Sequence, residues 1–137
     1  MDFTPLDVKS SYSLLKSPTR ISDLVTTAKE RGYKALALTD ENVLYGAVEF
    51  YNAAKKAGIK PIFGLRLVVA LNETDGTKLD LVFLAKNQRG YQHLMDLSTL
   101  QQTRKDKKAP LTVAQISPLL NELFIIIPPQ STVFSVL

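Results

Sequence analysis

The tripeptide Thr39-Asp40-Glu41 is the first place to look for chemistry-bearing side chains in the sequence. It follows the apolar run Ala35-Leu36-Ala37-Leu38, so it falls where a buried strand would end. In α/β folds, functional groups gather at the carboxyl edge of the strands. Two adjacent carboxylates there could bind a hard cation. Asp40 or Asn42 could equally cap the next helix by accepting a backbone N–H. Other candidates are weaker. His93 is the only histidine, and no second ligand follows it at helical spacing. Tyr12 and Ser13 lie in a turn-rich loop, where the serine lacks both a nucleophile elbow and a nearby base. Neither a Gly-x-x-x-x-Gly-Lys phosphate loop nor a Gly-x-Gly-x-x-Gly turn occurs. With no cysteine, thiolate metal sites and disulfides are excluded.

These groups need elements to hold them, and the hydrophobic pattern supplies an alternation. Residues 6–9 read as a short strand, and Ile21, Leu24, Val25 and Ala28 mark a helix. Gly32 ends that helix before a strand at 35–38. A second helix is predicted over 44–57, ending at Gly58, with a strand at 62–63. Segments 65–71 and 79–85 flank Asn72-Glu73-Thr74-Asp75-Gly76, a hairpin signal. A third helix is expected over 89–100, a short one over 112–120 and a buried strand over 123–127. Alternating strands and helices imply an α/β fold with a mostly parallel sheet and one hairpin.

Composition limits the function classes. The chain has 137 residues, 45% hydrophobic and 22% charged, the proportions of a globular domain. Neither a membrane-spanning run nor a secretory leader is evident, so no membrane partner and a cytoplasmic location are expected. The net charge of +4 favours a polyanionic partner. The densest basic run contributes Arg104, Lys105, Lys107 and Lys108, a candidate nucleic-acid contact without interleaved aromatics.

Three longer stretches carry a resemblance. Phe3-Thr4-Pro5-Leu6-Asp7-Val8-Lys9-Ser10-Ser11-Tyr12-Ser13-Leu14-Leu15 resembles the opening motif of the PHP domain in bacterial DNA polymerase III alpha subunits. The run from Ala35 to Tyr51, continuing from Ala57 to Gly64, is similar to the next two motifs, and Asn87-Gln88-Arg89-Gly90-Tyr91-Gln92-His93-Leu94 to the segment after the family's hairpin. The resemblance implies the N-terminal part of a (β/α)7 PHP barrel, which in some members binds several metals and trims DNA 3′ ends as a phosphoesterase.

This sequence departs from that pattern. The family's paired histidines of the first motif fall on Asp7 and Lys9, its Thr-Asp-His on Thr39-Asp40-Glu41, and its glutamate after the third strand on Arg66. Asp7, Asp40 and Glu41 could still coordinate a cation, but Lys9 and Arg66 would place two positive charges in the metals' space. The expectation is therefore a metal-free module without catalytic residues or cofactor, whose Lys9 and Arg66 pair with Asp7, Asp40 and Glu41. The parent chain would be a magnesium-dependent DNA polymerase, with DNA, the rest of the polymerase and replisome subunits as partners. An active metal-dependent 3′–5′ exonuclease and an unrelated small nucleic-acid-binding domain are the alternatives. The chain ends at Val136-Leu137 with an apolar segment in progress, so it is expected to be truncated and to self-associate.

Overall fold

A computed structural model of the chain describes residues 3–13, 17–74, 76–106 and 109–128. The elements run α1 (Ile21–Glu30), β1 (Ala35–Leu38), α2 (Ala47–Ala57), β2 (Lys60–Ala70), β3 (Lys78–Ala85), α3 (Gln88–Thr103), β4 (Leu111–Thr112), α4 (Val113–Ile116) with a 3-10 turn at Ser117–Leu119, and β5 (Leu123–Ile126). Two compact units divide the chain, Met1–Leu65 and Arg66–Leu137.

In the first unit, Ile21, Val25 and Ala28 recur at helical spacing and form the buried stripe of α1. They share one core with Phe50 and Ala54 of α2 and with Leu36 and Leu38 of β1. Burying a side chain as large as Ile21 or Phe50 stabilises by about 1.5–3 kcal/mol. Both helices end on a left-handed glycine, Gly32 at φ 75° and Gly58 at φ 74°, where a Cβ would be strained. Behind each glycine the chain turns into a strand, and β1 and β2 pair in parallel with Ala35 opposite Lys60 and Leu38 opposite Phe63.

Residues 6–9 form no regular strand, contrary to expectation. They run extended beside β1: Ala37 N donates to Pro5 O at 3.0 Å and Thr39 N to Val8 O at 2.8 Å. Because Thr39 Oγ1 also takes the Val8 N–H, at 2.9 Å, a side chain stands in for a rung of the ladder. The second helix is shorter than the predicted 44–57, starting at Ala47. The expected strands 62–63 and 65–71 are one continuous strand, β2, passing through Gly64.

In the second unit, alternation along β2 buries Leu67 and Val69 while Arg66 and Val68 face the other way. A turn closed by Leu71 N donating to Thr77 O at 3.1 Å leads into β3. Helix α3 begins at Asn87, whose side chain accepts from Gly90 N. A capping box between Thr112 and Gln115 starts α4, which runs on into the 3-10 turn Ser117–Leu119, so the short helix expected over 112–120 is present in two parts. The sheet is mixed: β4 pairs in parallel with β2, but β5 pairs antiparallel with β3, the returning strand of the hairpin, with Ala85 opposite Leu123. A mostly parallel arrangement is thus corrected to a mixed one, of five strands in order β1-β2-β3-β5 with β4 on β2. Among the described residues no helix is long and apolar enough to cross a membrane.

Candidate functional site

The candidate residues of the first unit meet where β1 ends. Asp40 is buried, 3% exposed, as are Ser10, Ser13 and Thr39. Its two carboxylate oxygens are heavily used. Oδ1 accepts from Ser10 N at 2.6 Å and from Ser13 Oγ at 2.7 Å. Oδ2 accepts from Ser10 Oγ at 2.6 Å. A buried carboxylate is tolerated only when such donors replace water. Asp40 therefore anchors the loop after residues 6–9. It does not cap α2, whose N-cap is Gly46, and neither does Asn42, which adopts a left-handed φ of 65°.

Ser13 carries a second duty, since its Oγ accepts from Glu41 N at 2.9 Å. That bond turns the Glu41 backbone towards the loop. The Glu41 side chain meets Lys9, with Nζ 2.9 Å from Oε1 and side-chain exposures of 26% and 29%. Asp7 joins the group through Thr39, whose Oγ1 donates to Asp7 Oδ1 at 2.8 Å. Lys9 with Glu41, Asp7 with Thr39, and Asp40 with both serines form one polar cluster on two extended segments. Beside it a cleft lined by Leu38, Asp40, Val43, Leu44 and Phe63 leaves about 10 Å³, the room of a single water.

Near the cluster, Tyr12 Oη donates to Glu49 Oε2 at 3.1 Å. That bond and the Glu49 charge push the Tyr12 phenol above its ordinary value of 10.0. Tyr12 and Ile21 crowd Gly46 so closely that a Cβ there would meet both.

In the second unit, Arg66 has a partner that sequence alone did not suggest. Its Nη2 lies 2.7 Å from Asp80 Oδ2 and its Nε 3.0 Å from Asp80 Oδ1, a two-pronged pair across β2 and β3. His93 is no ligand candidate in this setting; its Nδ1 lies 2.7 Å from Asn121 O and helps tie α3 to the turn before β5. Arg104 is the C-cap of α3 and Lys105 is exposed, whereas Lys107 and Lys108 lie outside the described residues. Among the described residues no three His, Cys, Asp or Glu side chains converge as a metal cage would require.

Sequence reading missed the serines. Ser13 stood out only as a loop residue and Ser10 only as part of a motif, and their burial beside Asp40 shows both as its hydrogen-bond donors. No one-dimensional signal could have linked residues about thirty positions apart.

Comparison with known proteins agrees with this architecture. The PHP domain family matches residues 5–124. The DNA polymerase III subunit alpha of Halalkalibacterium halodurans is 41% identical over 128 residues, covering 93% of this chain and 11% of the relative. That of Bacillus subtilis is 44% identical over 104 residues, covering 76% and 9%. The chain thus spans about a tenth of the length of these relatives. Among solved structures, an amidohydrolase from Chromobacterium violaceum with bound sulfate and no metal superposes with a TM-score of 0.57 at 22% identity, covering 72% of this chain and 33% of the other. A candidate metal-dependent phosphoesterase from Bifidobacterium adolescentis gives 0.56 at 15%, with the same coverage. At those identities the likeness speaks for the fold alone. With a family match across most of its length, and with 41% identity to part of a polymerase alpha subunit, this chain belongs to the PHP domain family.

Proposed function

We propose that this chain is the PHP portion of a replicative DNA polymerase III alpha subunit and that it serves that polymerase as a metal-free structural module. The observation that carries the reading is the Lys9–Glu41 pair at 2.9 Å. An ammonium group directed at a carboxylate takes up the charge that a divalent cation would otherwise neutralise. Asp40 supports the same reading, because three donors already converge on its two oxygens. The donor set therefore does not suit a metal: one candidate carboxylate is paired with a cation, another is filled by hydroxyl and amide hydrogens, and the one histidine of the sequence, His93, is bonded to Asn121 O.

In this role the polar cluster joins the first loop to the end of β1 without a metal. The parent polymerase would carry out template-directed DNA synthesis in the cytoplasm with magnesium, on carboxylates outside this chain. Its partners would be the remainder of the polymerase, other replisome subunits and DNA. Phe124 and Ile125 are neighbours on β5, yet they are 58% and 46% exposed, so this outer strand presents an apolar side chain on each face among the described residues. We expect the chain alone to self-associate through it.

Elemental analysis of the purified chain, calorimetric titration with zinc and manganese and a 3′ exonuclease assay test the function together. The expected result is no stoichiometric metal and no cleavage. Tight metal binding with cleavage would mean that Asp7, Asp40 and Glu41 suffice despite Lys9, and the structural reading would fall.

A further inference from the structure

The opposite end of the first unit carries a charge concentration that the polar cluster does not explain. Helices α1 and α2 pack on one core and reach the same side of the sheet with their C-terminal ends, because each leads through a left-handed glycine into one of two adjacent parallel strands. The two turns match bond for bond: Tyr33 N donates to Ala28 O at 2.9 Å and Ile59 N to Ala54 O at 2.9 Å. Lys60 N then donates to Lys34 O at 2.9 Å, so the residues entering β1 and β2 are direct neighbours.

This matched construction gathers Lys29, Arg31, Lys34, Lys55, Lys56 and Lys60, all exposed, with Glu30 the carboxylate among them. Six cations and one anion leave this end five positive, more than the +4 of the entire chain, so the rest of the molecule is slightly acidic. Lysine at a helix C-terminus ordinarily answers the helix dipole, and Lys29, Lys55 and Lys56 sit in last turns. Magnitudes limit that explanation. Two helix ends present about one negative charge between them, and Lys34 and Lys60 belong to no helix. Among the described residues, the two dipoles offset only a small part of the charge of Lys29, Arg31, Lys55, Lys56 and Lys60.

We infer that this end of the first unit is a docking surface for the phosphate backbone of duplex DNA, read by charge and without base contacts. Lysines spread over two helix ends and two strand starts suit a ladder of phosphates, as mobile point charges do where no fixed fork geometry is required. Of the described aromatics here, Tyr33 is engaged with the Phe3 ring at 5.6 Å, and Tyr51, although 45% exposed, stacks on Phe63 at 6.5 Å and has Lys55 Nζ 5.7 Å from its ring, which disfavours it as a platform for unpaired bases. The surface differs from the loop at Arg104 and Lys105 and does not depend on whether the Asp40 cluster holds a metal.

The test is fluorescence anisotropy of the full chain with a labelled mixed-sequence duplex, followed from about 50 to 200 mM salt, with poly-glutamate as a second polyanion. Neutralising three charges in Lys55→Gln/Lys56→Gln/Lys60→Gln is expected to reduce the log–log salt slope by roughly 2.7 and weaken binding at least tenfold at low salt. Lys55→Arg/Lys56→Arg/Lys60→Arg should retain both, which separates charge from folding. The inference is overturned if the native chain does not bind at low salt, or if the glutamine variant binds like the native chain. It is also overturned if Arg104→Gln/Lys105→Gln removes the binding instead, or if poly-glutamate, a mimic of an acidic protein partner, binds as tightly as DNA.

Discussion

Ser13 stands between Asp40 and Glu41 and bonds to both: its hydroxyl donates to Asp40 Oδ1 at 2.7 Å and accepts from Glu41 N at 2.9 Å. One small side chain therefore sets the direction of two adjacent acidic residues, pulling the first inward and leaving the second to meet Lys9. Ser13→Ala should weaken both connections and cost about 1–3 kcal/mol, since a buried carboxylate loses one of its donors. Urea unfolding measures the loss; an unchanged midpoint would show that the cluster does not depend on Ser13.

Asp40 should matter more than either serine. Asp40→Ala removes the common acceptor and leaves the Ser10 amide and two hydroxyls unmatched in a buried place, an expected loss of at least about 3 kcal/mol. Asp40→Asn keeps the shape and an oxygen for Ser10 N and Ser13 Oγ, and its amide N–H can donate to a rotated Ser10 hydroxyl, so it should recover part of that stability while losing the charge-assisted share. If thermal melts showed the asparagine variant to be as stable as the native chain, the hydrogen-bond account would be wrong.

Lys9 and Glu41 are each about a quarter exposed, which limits the strength of their pair. A double-mutant cycle with Lys9→Met and Glu41→Gln is expected to give a coupling of about 0.5–1 kcal/mol, declining with added salt. Zero coupling at low salt would indicate that the contact contributes no stability.

Tyr12 gives the cluster's surroundings a pH signature. Its hydrogen bond to Glu49, followed by the Glu49 charge, raises the phenol pKa in the folded state. A raised folded-state pKa contributes stability that is complete below the unfolded value of 10.0 and is lost as pH rises through the folded one. Ultraviolet titration of the phenol should therefore show a component above the ordinary tyrosine range, and Glu49→Gln should bring it down. An upward shift that survives Glu49→Gln would assign its cause elsewhere.

Gly90 in α3 is pressed against the backbone oxygen of Glu122, and a Cβ would collide with it. Gly90→Ala ordinarily favours a helix, yet here it should destabilise by about 1–3 kcal/mol, because backbone cannot step aside as a flexible side chain can. A more stable Gly90→Ala chain in calorimetry would mean that the turn carrying Glu122, at φ 61°, yields readily.

Local pattern in the sequence determined a good deal about this protein. Apolar spacing marked α1, α2 and α3, Gly32 and Gly58 marked their strand entries, and the turn around Asn72 to Gly76 marked the hairpin, because each depends on neighbours a few residues apart. The motifs from Phe3 to Leu15 and from Ala35 to Gly64 carry the family resemblance in the sequence itself. The sequence could not decide the partners of the polar groups. That Asp40 would turn to Ser10 and Ser13, that Arg66 would meet Asp80, and that β5 would lie antiparallel to β3 are outcomes of packing between distant segments. Hydrogen bonds and strand direction are satisfied in space, where a buried donor takes whichever acceptor the fold brings within about 3 Å. The basic end of the first unit has the same origin: its cations are scattered in sequence from Lys29 to Lys60, and only the pairing of β1 with β2 brings them together.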